Sequence, residues 1–95
     1  MAKKLKTIND YEDGCYLCGG FWCMEIHHIF GASNRKHSEE DGLCVWLCRM
    51  HHTMPPDGVH QNKKKMDELR RVGQQIYENE HSHEEFMARY GRNYL

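Results

Sequence analysis

At 95 residues and without a Pro/Gly/Ser-rich linker, the chain suits one domain and offers no second core. A hydrophobic fraction of 39% and a mean hydropathy of -0.89 exclude a membrane span, which needs about 18 consecutive apolar residues, and imply a core small enough to need a staple. A formal net charge of -1, with eight histidines counted neutral, excludes the strong basic bias of a histone-like protein.

Residues 1–14 are polar and carry Lys3, Lys4 and Lys6, so a flexible basic arm is expected there. They lack the apolar run of a secretion signal, which points to a soluble, cytoplasmic setting and no membrane partner. After Gly19-Gly20, the run Phe21 to Phe30 is rich in aromatic and branched residues and reads as a strand. Residues 31–42 have turn-formers and no apolar periodicity, and read as a loop. Leu43 to Cys48 reads as a second strand, antiparallel to the first. Pro55-Pro56-Asp57-Gly58 breaks the chain again. Val59, Met66, Leu69, Val72 and Ile76 then recur at helical spacing, with Gly73 a weak point. Ser82-x-x-Glu85 is a capping box, in which side chain and backbone satisfy each other's unpaired N–H groups. It opens a last short helix carrying Phe86, Met87 and Tyr90 and ending near Gly91. The fold class is α+β, a hairpin with C-terminal helices over residues 58–95.

Five cysteines in an intracellular chain read as metal ligands sooner than as disulfides. Cys15-x-x-Cys18 supplies two thiolates from one tight turn, and Cys48-x-x-His51 supplies a thiolate and an imidazole at the same spacing. That is a tetrahedral structural zinc set, joining the start of one strand to the end of the other. Cys23, inside the first strand, and Cys44, should His51 point elsewhere, are the competitors; for both the better reading is a small buried hydrophobe.

His27, His28, His52 and His60 remain. Neighbours in a strand face opposite ways, so His27 and His28 do not share an ion easily. The segments Glu25-Ile26-His27-His28-Ile29 and Leu47-Cys48-x-x-His51-His52 resemble those of the HNH (His-Me finger) endonucleases. The longer run Ile26 to Lys36, with Gly58-Val59-His60, is similar to small phage and prophage HNH proteins related to recombination-enhancement nucleases.

The resemblance covers residues 15 to about 62 and implies a zinc-stapled ββα-metal domain, within a single domain over 15–95, that cuts DNA by metal-dependent hydrolysis. By it His28 is the general base, and His27, His52 and His60 bind a catalytic Mg²⁺, Mn²⁺ or other divalent ion. A neutral imidazole can accept a proton at neutral pH. It also implies a phage- or prophage-linked role, with a recombinase filament as a candidate partner. The family's middle Asn would precede the second strand, where this chain has Gly42-Leu43; Asn34 is the candidate to orient the base from a shifted position, or is a turn residue. Arg35 or Lys36 would contact phosphate. Lys63 and Lys64, with Lys65, Arg70 and Arg71, form a helical basic cluster that could face nucleic acid or simply solvent. Glu25 reads as a surface carboxylate before an orienting one, and His37, His81 and His83 as exposed. The other function class is a non-catalytic zinc module binding nucleic acid or a protein; an RNA-cutting toxin would use the same chemistry as the nuclease.

Overall fold

A computed structural model describes residues 5–95; Lys3 and Lys4 of the expected arm lie outside the described residues. Six elements follow in chain order: β1 (Glu25–His28), α1 (Arg35–Glu40), β2 (Cys44–Leu47), α2 (Arg49–His52), α3 (Lys63–Glu78) and α4 (His83–Tyr90). The architecture is α+β, a two-stranded antiparallel hairpin with helices packed around it. Glu25 faces Leu47 and His28 faces Cys44, so the start of β1 and the end of β2 share one end of the hairpin. Both cysteine knuckles sit at that end.

The first strand is shorter than its composition predicts. Cys23 takes a φ of 47°, in the left-handed region that breaks an extended run, and Phe21 and Trp22 are left exposed. The second strand holds, because Leu43, Val45 and Leu47 are fully buried. Residues 31–42 are not the plain loop expected. Arg35–Glu40 coil into α1, whose only buried residue is Ser38. A helix whose inner face is one serine shows no apolar periodicity. Ser38 nevertheless ties the hairpin's far end, since its Oγ donates to the Leu43 carbonyl at 2.5 Å and accepts the Phe30 N–H at 3.3 Å.

Residues 5–14 run beside β2. The Ile8 N–H donates to the Cys44 carbonyl at 2.7 Å, and the Asn9 side chain accepts from the Trp46 N–H at 2.8 Å. A hydrophobic residue and an amide thus anchor a segment that composition marks as solvated.

The C-terminal helices dock on Phe30, which lies just beyond the hairpin residues. Its ring meets those of Tyr90, Tyr94 and Phe86 at 4.5, 5.5 and 5.7 Å between centroids. Gly73 is the reason α3 comes so close: a Cβ there would stand 2.9 Å from the Phe30 ring and 3.0 Å from Ile29. Val59 lies ahead of α3 but is buried all the same. At α4 the capping box is complete, with Ser82 and Glu85 satisfying each other's backbone N–H, and Gly91 closes the helix at φ 79°. Arg89 and Tyr90 then bind Asp41, each at 2.6 Å, which latches α4 to the end of α1. No helix of the described residues is long and apolar enough to cross a membrane.

Candidate metal centres and adjoining cleft

Cys15, Cys18, Cys48 and His51 converge, their ligand atoms all within 4.8 Å of one another, and this cluster could hold a metal ion such as zinc. Local backbone builds it. The Leu17 N–H reaches Cys15 Sγ and the Gly20 N–H reaches Cys18 Sγ, each at 3.4 Å, as a C-x2-C turn does when its amides point at thiolates. Cys48 precedes α2 in extended backbone, and one helical turn later His51 presents Nδ1 3.3 Å from the Cys48 sulfur. Burial pushes the Cys15 thiol up, yet the amides of Cys48, Leu17 and Cys18 outweigh it and hold the thiol below its ordinary pKa. Cys48 is pushed up to about 11, by burial first and then by the Cys18 and Cys15 sulfurs crowding it. Packed sulfurs that repel one another as thiolates are the donor set a divalent cation reconciles. Cys44 is not part of it. It is fully buried near the Ser38 carbonyl and its thiol is raised to about 11, by burial and then by Glu39, which makes it inert. Cys23, expected to be a small buried hydrophobe, is instead exposed and outside the cluster.

A second cluster gathers His27, His52 and His60, again with ligand atoms within 4.8 Å. His27 comes from β1, His52 from the end of α2. His60 is brought back by the chain between α2 and α3, whose Val59 and His60 N–H groups donate to the carbonyls of His51 and His52 at 2.9 and 3.2 Å. The same two carbonyls therefore couple the histidines of both clusters to one segment. The nitrogens point inward. His52 Nε2 and His60 Nε2 are 3.2 Å apart, and His27 Nε2 is buried with no hydrogen-bond partner among the described residues. Glu25 accepts from His52 Nδ1 at 2.9 Å, so the lone pair of His52 is left on Nε2, facing the cluster. Glu25 is thus an orienting carboxylate, the less favoured of its two readings from sequence. Burial first, and then the neighbouring His52 and His60, drives His27 down to about 3; His60 is lowered by burial and by His52. Neutral imidazoles are the ligating form. With three nitrogens and no carboxylate, the set suits a transition ion such as Zn²⁺ better than the hard Mg²⁺.

His28 leaves β1 on the other face, where its Nε2 meets Glu39 of α1 at 2.7 Å. Sequence reasoning misses Glu39, because it sits in a segment that reads as loop. Asn34 donates to the Tyr90 carbonyl at 3.1 Å and so serves the end of α4. Arg35 stands 3.9 Å from Glu39 and lines, with His27, His28, His52 and His60, an open cleft of about 360 Å³. Lys36 is exposed. Lys63 is paired with Asp67 at 2.5 Å, and with Lys64 and Arg71 it borders a separate shallow groove. Of the histidines expected to be exposed, His37 is half-buried, its ring edge-on to Tyr90 at 5.9 Å, while His81 and His83 lie at the surface.

A scan against protein-family models, a search of curated proteins and a search of solved structures each find no significant match to this chain.

Proposed function

We propose that this protein is a metal-dependent endonuclease of the HNH type, hydrolysing phosphodiester bonds in DNA. The observation that carries the reading is the second cluster: three imidazole nitrogens aimed at one point, one of them buried without a partner, beside a cleft that also holds His28 and Arg35. A buried polar atom without a partner is costly unless a ligand completes it. A divalent ion held by His27, His52 and His60 would supply stabilisation of the charge that builds on the phosphate and its leaving oxygen.

The chain's own residues supply the rest. With Glu39 accepting the Nε2 proton, His28 keeps its lone pair on Nδ1 and takes a proton from water there as general base; Glu39 then stabilises the imidazolium. Ser38 closes the hairpin end that carries His28, which is the pinning task that the family's middle Asn performs. Arg35 offers a guanidinium to a phosphate oxygen. The Cys3His cluster is the scaffold, and a phage or prophage recombination setting, with a recombinase filament as partner, comes from the resemblance alone.

Plasmid and single-stranded DNA incubated with Zn²⁺, Mn²⁺, Mg²⁺ or EDTA, using the native chain and His28→Ala, test this. Cleavage that requires both metal and His28 is expected. One observation favours a second reading: Asn34 is engaged with Tyr90 and does not reach the base. Binding without cleavage under every metal would establish a zinc-stapled binding module instead.

A further inference from the structure

The three-histidine cluster has a second flank that no sequence motif marks. It opens into a cleft of about 400 Å³ whose walls include His27, His60, Asn34, Arg70, Arg92 and Tyr94. Arg70 projects from α3, and its nearest carboxylate, Asp67, stands 3.9 Å away, too far for a hydrogen bond. Its Nε is buried with no partner among the described residues. Asp67 is already engaged by Lys63 at 2.5 Å. Arg92 forms no ion pair among the described residues, yet its guanidinium and that of Arg70 lie 5.5 and 5.6 Å from the centre of the same Tyr94 ring. Lys63 and Arg70 thus share one carboxylate and Arg92 has none within ion-pair distance among the described residues, leaving a local surplus of cationic charge in a chain of net charge -1.

Nor is this a loose tail. Gly91 turns the chain out of α4 in the left-handed region. Gln74, fully buried in α3, then uses both ends of its amide on the residues beyond that turn: Nε2 donates to Asn93 at 2.8 Å and Oε1 accepts the Tyr94 N–H at 2.6 Å. A buried amide with its bonds satisfied is a rigid support. It holds Arg92 and Tyr94 against Arg70, where two like charges would otherwise separate.

We propose that Arg70 and Arg92, set around Tyr94, are a phosphate-binding subsite that grips the polynucleotide backbone next to the three-histidine centre. The identity of the ligand rests on the phosphodiesterase reading above. Guanidinium groups with unsatisfied N–H donors match phosphate oxygens bidentately, and a pair of them neutralises the backbone where it passes the metal cluster. Arg35 borders the cleft on the His28 side, so the histidines lie between cationic groups on both flanks.

The test is fluorescence anisotropy of a labelled single-stranded oligonucleotide with the zinc-loaded full chain, without added divalent ion, over a range of salt. Arg70→Gln and Arg92→Gln are each expected to weaken binding about tenfold and to flatten the log–log salt slope by about 0.7, the loss of one phosphate contact. Arg71→Gln, on the same helix but bordering the other groove, should change affinity less than about threefold. Arg92 is exposed, so its variant remains informative should Arg70→Gln melt early. Affinities of both variants within twofold of Arg71→Gln, or a native chain that does not bind, would overturn the subsite. Cleavage assays separate the two proposals. Binding lost at Arg70 and Arg92 in a protein that never cuts upholds the subsite and defeats the hydrolase; cutting with an unchanged KM in both variants does the reverse.

Discussion

His27 shows what one residue's environment decides. Its ring is 2% exposed and its pKa is held near 3, well below the ordinary 6.5 of a chain that exposes it. Because the folded value is the depressed one, the unfolded chain binds the extra proton between those limits. Stability should be unaffected above pH 6.5 and fall as pH drops below it, by up to about 1.4 kcal/mol per pH unit from this group. Thermal melts of the native chain and His27→Gln from pH 7.5 to 5 check this: the variant should lose less stability over the interval, and parallel losses would contradict it. Glu39 makes the complementary case for activity. Glu39→Gln keeps a hydrogen-bond acceptor but not the charge opposite His28, so the proposed DNA cleavage should fall about 10–100-fold with KM little changed. The histidines and cysteines are legible in the sequence because their types and spacings are chemical statements in themselves. Glu39 and Arg92 are not, and Glu25 and Arg70 are legible only as one of two readings, since a carboxylate or guanidinium acquires its meaning from a partner distant in sequence that only the fold brings near.

Among the elements, legibility tracks the signal each one carries. The Ser82–Glu85 capping box and Gly91 bound α4 as expected, because caps are local chemistry. Helix α1 escapes because its buried face is Ser38, and β1 reads too long because nothing in Phe21-Trp22-Cys23 reveals a positive φ at Cys23. Gly73 is the instructive reversal. By propensity a weak point of a helix, it is the place where α3 closes on Ile29 and Phe30. Gly73→Ala should gain about 1 kcal/mol in helix propensity and lose about 1–3 to overpacking, for a net destabilisation near 1 kcal/mol in urea melts; a more stable variant would show that the contact yields. Ser82→Ala removes half of a reciprocal cap and should reduce stability by about 0.5–2 kcal/mol.

For the molecule as a whole, a small hairpin, short helices and two histidine-containing clusters are tied together by the stretch from Cys48 to His60. His51 turns to the cysteine cluster and His52 to the other, so whatever fixes one orients its neighbour. A metal ion held by the cysteine set would thereby be both staple and scaffold. With zinc bound there, stripping it should unfold the chain, since structural zinc contributes about 10–16 kcal/mol of apparent binding free energy to small domains. Loss of far-UV circular dichroism on chelation, reversed by Zn²⁺, is the expected sign, and Cys48→Ser should reproduce it without chelator. The most direct test of the central claim, that a second centre serves the chemistry, is anomalous scattering from crystals of the zinc-loaded chain soaked in excess Zn²⁺ or Mn²⁺. One peak is expected among Cys15, Cys18, Cys48 and His51 and another among His27, His52 and His60. A saturating soak that fills the first set and leaves the three histidines without a peak would contradict it.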